Sequence, residues 1–223
     1  MWLKLKISLL LVICFTIANV ASTQTLFNKT GDFEYYFDVK TTRIAKDKIV
    51  KTIKAPHKSE KFTLSFDSST LKWELKNRRA SSDIIVERKQ NKLILSGQIG
   101  STLFKRKVEY IDNYPWFQSL EAGAGEFLRS KKTSQIFWSL NSETLSLHQM
   151  EFNDKERVVI SVDGKELEAV KIRMTFPGWR SMFWSTYFWY SFSDNKFIRY
   201  EGRNGPPGTK NTTITIVNKK HNN

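Results

Sequence analysis

From Phe33 onward, bulky apolar residues recur at every second position in short runs, and that rhythm leaves little but β-sheet open to the chain. Side chains on a strand alternate between its two faces, so a period of two buries one face and wets the other. Phe33, Tyr35, Phe37 and Val39 alternate in this way, with Glu34 and Asp38 between them. Phe62, Leu64 and Phe66 repeat the pattern, as do Leu71, Trp73 and Leu75, and then Phe104, Arg106, Val108 and Tyr110. Turn chemistry separates the runs. Lys89-Gln90-Asn91-Lys92 lies between two apolar runs, and Asp163-Gly164 separates Val158–Val162 from Leu167–Met174. Asp-Gly suits a type I′ hairpin turn because both residues tolerate positive φ. Asp194-Asn195 plays a similar part before Phe197.

One stretch departs from this rhythm. From Pro115 to Lys132, Trp116, Leu120 and Phe127 or Leu128 approximate a helical face, with Pro115 suited to a first turn. Gly123 and Gly125 interrupt it, so a short helix and a structured loop both remain open. The expected architecture is therefore mainly β: a single curved antiparallel meander of about ten strands, a half-barrel or barrel, with one short helix or lid segment. Open sheets wider than about ten strands tend to curl.

The N-terminus reads as an address. Lys4 and Lys6 precede a nearly all-apolar run from Ile7 to Val20, and small Ala21 and Ser22 precede polar Thr23. That is the layout of a secretory signal peptide, with cleavage expected near Ser22. The expected organisation is a cleaved leader over 1–22, one β-rich domain over 23–217 and a polar tail over 218–223. Cys14, the single cysteine, lies inside the apolar run after bulky Ile13, so it does not fit a lipobox. Cleavage leaves a cysteine-free chain of net charge +12, against +14 for the whole sequence. About 200 residues can bury a sufficient core without disulfides. Export without cysteines suggests a bacterial, periplasmic or secreted protein. Asn28-Lys29-Thr30 and Asn211-Thr212-Thr213 fit the glycosylation pattern, which matters only in a eukaryotic source.

Catalytic and metal-binding material is thin. His57, His148 and His221 are isolated, with no spacing that favours a metal. There is no Gly-x-Ser-x-Gly elbow and no phosphate-cradling glycine-rich loop. No metal or cofactor is therefore expected. Asp112, Glu121 and Glu126 are the one set of carboxylates that could gather, near Trp116, for acid–base work on an envelope polymer.

Two features stand out instead. Residues 176–200 hold 11 of the chain's 30 aromatic residues, where even spreading would place a third as many. Phe183, Tyr187 and Trp189 share one face of a strand, and Trp184, Phe188, Tyr190 and Phe192 the other, so both faces need cover. Three readings account for that cover. Either protein packs there, or an apolar groove takes a lipid-like ligand, with Trp179, Trp184, Phe188, Tyr190 and Phe192 lining or rimming it, or the rings form a sugar-stacking platform or a partner surface. The second feature is a basic stretch: Lys40, Arg43, Lys46, Lys48, Lys51, Lys54, Lys58 and Lys61 against only Asp47 and Glu60. It reads as a solvated edge or loop, or as a contact with an anionic membrane or wall surface. Export and the lack of a recognition helix argue against nucleic acid.

The run Val162-Asp163-Gly164-Lys165-Glu166-Leu167-Glu168-Ala169-Val170, then Trp184 through Tyr190, then Ser193-Asp194-Asn195-Lys196-Phe197-Ile198-Arg199-Tyr200-Glu201, resembles exported bacterial domains of unknown function. Those domains in turn resemble the lipoprotein-localisation carriers, half-barrels closed by a short helical lid. The resemblance implies a non-enzymatic envelope protein handling a lipophilic ligand, and no site residues transfer with it. The missing lipobox separates the chain from the outer-membrane lipoprotein acceptors. The reading carried forward is an exported, non-catalytic β-protein that binds an apolar or amphiphilic ligand. Its alternatives are a structural or interaction protein of the envelope, and a hydrolase using the acidic residues.

Overall fold

The alternating runs pair into one antiparallel sheet of fourteen strands. The computed structural model describes residues 21–111, 113–203 and 210–217. The leader over 1–20 with Cys14, Asp112, part of the Gly202–Thr209 loop and the tail with His221 lie outside the described residues. The strands are β1 (Ala21–Thr30), β2 (Phe33–Ala45), β3 (Lys48–Lys54), β4 (Lys58–Ser65), β5 (Thr70–Asn77), β6 (Ser82–Lys89), β7 (Lys92–Ile99) and β8 (Thr102–Glu109). Helix α1 (Leu120–Arg129) follows, then β9 (Ser134–Leu140), β10 (Leu147–Val162), β11 (Lys165–Thr175), β12 (Ser185–Ser191), β13 (Phe197–Arg203) and β14 (Asn211–Ile216).

The order across the sheet is β8 to β1, then β14 back to β9, so two meanders join where β1 pairs with β14. The turn chemistry acts as read. Asp163 and Gly164 have φ of +51° and +75° between the paired Val162 and Lys165, and Gln90 has φ +55° between the paired Lys89 and Lys92. Fourteen strands replace the expected ten or so because several carry little alternation. The basic stretch supplies β3 and β4, and the mostly polar β1 gains its place by pairing on both sides.

The sheet curls strongly. Five inter-strand steps separate β3 from β12, about 24 Å on a flat sheet. Yet Lys51 of β3 pairs with the Glu121 carboxylate, and the Tyr190 hydroxyl of β12 donates to the Glu121 carbonyl. The two edge strands β8 and β9 do not pair with each other. Residues 115–118 run beside β9 instead: Trp138 N–H donates to Pro115 O (2.8 Å), and Phe117 N–H to Trp138 O (2.9 Å). The same segment reaches β5, where Thr70 N–H donates to Trp116 O at 2.7 Å. Pro115 thus belongs to an extended segment, and the helix begins five residues later.

Helix α1 fills the inner face. Phe127 and Ala124 are wholly buried against Phe152, Phe188 and Tyr190 in one core cluster. Its glycines are packing choices rather than breaks. A Cβ on Gly123 would lie 2.7 Å from the Phe117 ring, so only glycine lets the helix approach so closely. A second inner cluster, with Trp73, Ile84, Val86, Leu93, Leu95 and Trp116, lies under the N-terminal meander.

Candidate functional site

The aromatic ribbon is divided between faces by its strand. Phe188 and Tyr190 point inward and are buried beneath α1; Phe188 meets Phe152 and Tyr200 edge-on at 6.0 and 5.2 Å. Burial pushes the Tyr190 phenol far above its ordinary value, so it acts as a hydrogen-bond donor to the helix. Tyr187 and Trp189 point outward. Trp189 packs with Val162, Ala169 and Ile198, and the cations Lys171 and Arg199 lie over the Tyr187 and Trp189 rings at 4.7 and 5.6 Å. The second face is thus covered by protein: apolar residues of the long β10–β11 hairpin and the stems of two cations.

The five candidate ligand residues are therefore not brought together. Phe188 and Tyr190 are core. Trp184 is half-buried at the start of β12, against Phe176 at 5.4 Å, and its indole donates to Arg203 O at 3.2 Å. Phe192 lies beyond the other end of β12 with Arg157 stacked over it at 3.9 Å. Trp179 projects from a short 3₁₀ turn (Gly178–Met182) between β11 and β12 and is 72% exposed.

The basic stretch also divides. Lys40, Arg43, Lys46, Lys48, Lys54 and Lys61 are exposed. Lys58 is half-buried and pairs with Glu60 at 2.7 Å. Lys51 corrects the expectation of a surface cation: it lies on the inward side of β3, 7% exposed, paired with Glu121. Alternation places it there, because its cross-strand partner is the buried Phe62. Burial pulls its ammonium down to about 8, with the charge of Glu60 opposing.

Of the carboxylates expected to gather, the two described, Glu121 and Glu126, do not pair with each other. Glu121 and Glu126 lie five residues apart on α1, roughly 140° around the helix. Glu121 answers Lys51, and Glu126 answers Arg129 at 2.8 Å. Asp112 lies outside the described residues. His57 packs edge-on to Tyr35 and His148 to Phe176. Burial, with the charges of Arg79 and Lys58, holds His57 below its ordinary value. Among the described residues no three potential ligands gather for a metal. The glycosylation triplet at Asn28 is also not available as a surface acceptor, because Asn28 is buried.

Sequence reasoning missed one concavity. An open cleft of about 980 Å³ lies at one end of the sheet, between the β2–β3, β4–β5 and β6–β7 turns and the segments flanking α1. Phe66 (71% exposed), Leu71, Tyr110 and Tyr114 give it apolar walls, and Lys48, Arg88 and Lys132 give it cations. Its floor is ordered by hydrogen bonds. Ser65 donates to Asp67, Ser69 N–H donates to Asp67 Oδ1 (3.1 Å), and Arg88 Nη1 donates to Ser69 Oγ (3.1 Å). Burial opposes ionisation of Asp67, but the bonds from Ser65 and Ser69 and the nearby Arg88 hold its carboxyl below the usual range. The cleft draws on five separate turns and linkers, so no local motif announces it. Asp47 and Lys48 link it to the basic stretch, and with Asp67 the lining holds two carboxylates beside its cations.

No family model and no curated protein matches the chain. Among solved structures, a β-barrel-like protein of the domain of unknown function DUF1849 from Brucella abortus aligns with a TM-score of 0.57. The alignment covers 87% of this chain and 94% of that one at 4% identity. This chain has that fold. The hypothetical lipoprotein YmcC from Escherichia coli matches at a TM-score of 0.37 and 12% identity, over 88% of this chain and 83% of its own. A DUF1329 family protein from Desulfovibrio piger matches at 0.28 and 9%, over 91% and 85%. At 4% identity the likeness to the Brucella protein is one of fold, and it carries no site residue across.

Proposed function

We propose that the protein is a non-catalytic component of a bacterial cell envelope, exported by its N-terminal leader, that binds an anionic amphiphile in the cleft beside Phe66 and Arg88. One observation carries this reading. The inner face of the sheet is filled by α1 and its aromatic partners, whereas the end cleft sets apolar walls beside three cations. An acyl or similar chain loses its water-exposed surface against Phe66, Leu71 and Tyr114, at about 25 cal/mol per Å². An acidic head meets Arg88, whose guanidinium is already oriented by Ser69. The ordered Ser65-Asp67-Ser69 turn supports a rigid rim.

Displacement of a fluorescent fatty acid by its unlabelled counterpart tests the reading. The expected outcome is saturable binding that weakens about tenfold in Phe66→Ala and in Arg88→Ala, each with unaltered melting for the exposed Phe66. Probe fluorescence that never saturates would leave only a structural role for this protein.

A further inference from the structure

The turn between β11 and β12 presents an apolar knob that the cleft reading does not use. Trp179, Met182 and Phe183 are 72%, 76% and 62% exposed, three large apolar side chains within five residues. They are held outward by a braced loop. Arg173 Nη2 donates to Ser181 O (3.1 Å), and Phe183 N–H donates to Arg180 O (3.1 Å). The Trp179 and Phe183 rings meet edge-on at 5.6 Å, and the Arg180 guanidinium lies over Phe176 at 5.3 Å. A loop free to collapse would fold these rings onto the sheet. This one keeps them in water, and a cluster of exposed apolar side chains of this kind marks an interaction site.

The surroundings indicate what that site meets. No acidic residue occurs between Glu168 and Asp194, while Lys171, Arg173 and Arg180 do; Lys171 and Arg173 face Glu156 and Asp154 across the hairpin at 3.6 and 3.8 Å, and Arg180 lies on the knob itself. In an antiparallel meander alternate connections share an end, so the knob lies at the same end as the β1–β2, β5–β6 and β7–β8 turns. That end carries Arg78, Arg79, Arg203 and Lys210, with the acidic residues Asp32 and Glu143 in its turns. It also carries exposed Phe33, with Arg79 over its ring at 5.5 Å, and exposed Leu103. Among the described residues no helix is long and apolar enough to cross a membrane.

We infer that this end docks on a lipid bilayer bearing anionic headgroups, with Trp179, Met182 and Phe183 entering the interface and the arginines meeting lipid phosphates. Tryptophan suits that depth because its ring is apolar and its N–H polar. Basic residues near an anionic leaflet add attraction that decays within a Debye length. The cleft opens at the opposite end and faces away from the membrane.

Flotation of the purified protein with phosphatidylcholine vesicles, with and without phosphatidylglycerol, tests the inference. The expected result is binding to the anionic vesicles that falls about tenfold or more in a Trp179→Ser/Phe183→Ser variant, at unchanged melting temperature. Arg180→Glu is expected to weaken binding to the anionic vesicles further than to neutral ones. Failure of the unmodified protein to float, equal flotation of the double variant, or equal binding to neutral vesicles overturns it. Light scattering that shows a dimer lost in the double variant also overturns it, and assigns the knob to a second copy. Fatty-acid displacement reads the other end of the sheet, so either proposal can fail without the other.

Discussion

At the scale of single residues, Lys51 is the most exacting position in the molecule. It occupies an inward site between Ile49 and Ile53 on β3, where its neighbours are the buried Phe62 and Trp73. Its charge is tolerated because Glu121 comes down from α1 to meet it, and because Glu60, which also accepts the Trp73 indole at 2.9 Å, lies near enough to act on it. Only the lysine of this pair is buried; the Glu121 side chain is one third exposed, so water recovers part of what its carboxylate loses when Lys51 is removed. Lys51→Met is therefore expected to cost about 1–3 kcal/mol, measured by urea unfolding. Lys51→Met combined with Glu121→Leu is expected to recover most of that loss. A double variant no more stable than Lys51→Met alone would show that the pair does not act as one unit.

At the scale of elements, α1 shows how two identical residues two positions apart can have opposite requirements. Gly123 presses on Phe117, where a Cβ would lie 2.7 Å from the ring, while at Gly125 a Cβ would meet Tyr190 at an ordinary 3.4 Å. Gly123→Ala is expected to destabilise by about 1–3 kcal/mol through overpacking. Gly125→Ala is expected to be neutral or to stabilise by up to about 1 kcal/mol, because alanine favours helix and loses less chain entropy. Thermal melting of the two variants separates them. The glycines were legible as helix-weakening residues, but their purpose was not, because the rings they approach come from residue 117 and from residue 190. The aromatic ribbon was legible as a strand that needs cover on both faces. What covers it was not, because α1 lies about sixty residues before it, the β10–β11 hairpin has a register shift at Asn153/Lys155, and the ribbon's own pairing with β13 shifts at Trp189/Tyr190.

At the scale of the whole molecule, the open sheet has two unlike edges. β9 is flanked by the 115–118 segment, whereas most of β8 is exposed and has one strand partner, β7. Native-state hydrogen exchange is expected to show β8 amides exchanging well before those of β9, since opening free energy tracks local burial. Equal protection would mean that β8 is covered in solution. Lys105, Arg106 and Lys107 along β8 are the kind of charged edge that discourages pairing with another sheet. The same curled architecture sets the cleft at one end and the aromatic knob at the other, because successive turns of a meander fall at alternate ends.

What the amino-acid order decides on its own is local: the period-two strands, the Gln90-Asn91 and Asp163-Gly164 turns, and a surplus of rings around Trp184–Tyr190 larger than one face can bury. These depend on neighbours within a few residues, and short-range sterics and alternation are enough to set them. Tertiary structure alone decided that Lys51 is an interior ion, that Phe188 and Tyr190 are core, that Trp179 is free, and that Phe66 and Arg88 share a cleft. Each of these rests on the angle through which fourteen strands curl, and that angle is a sum over the whole sheet that no short stretch of sequence contains.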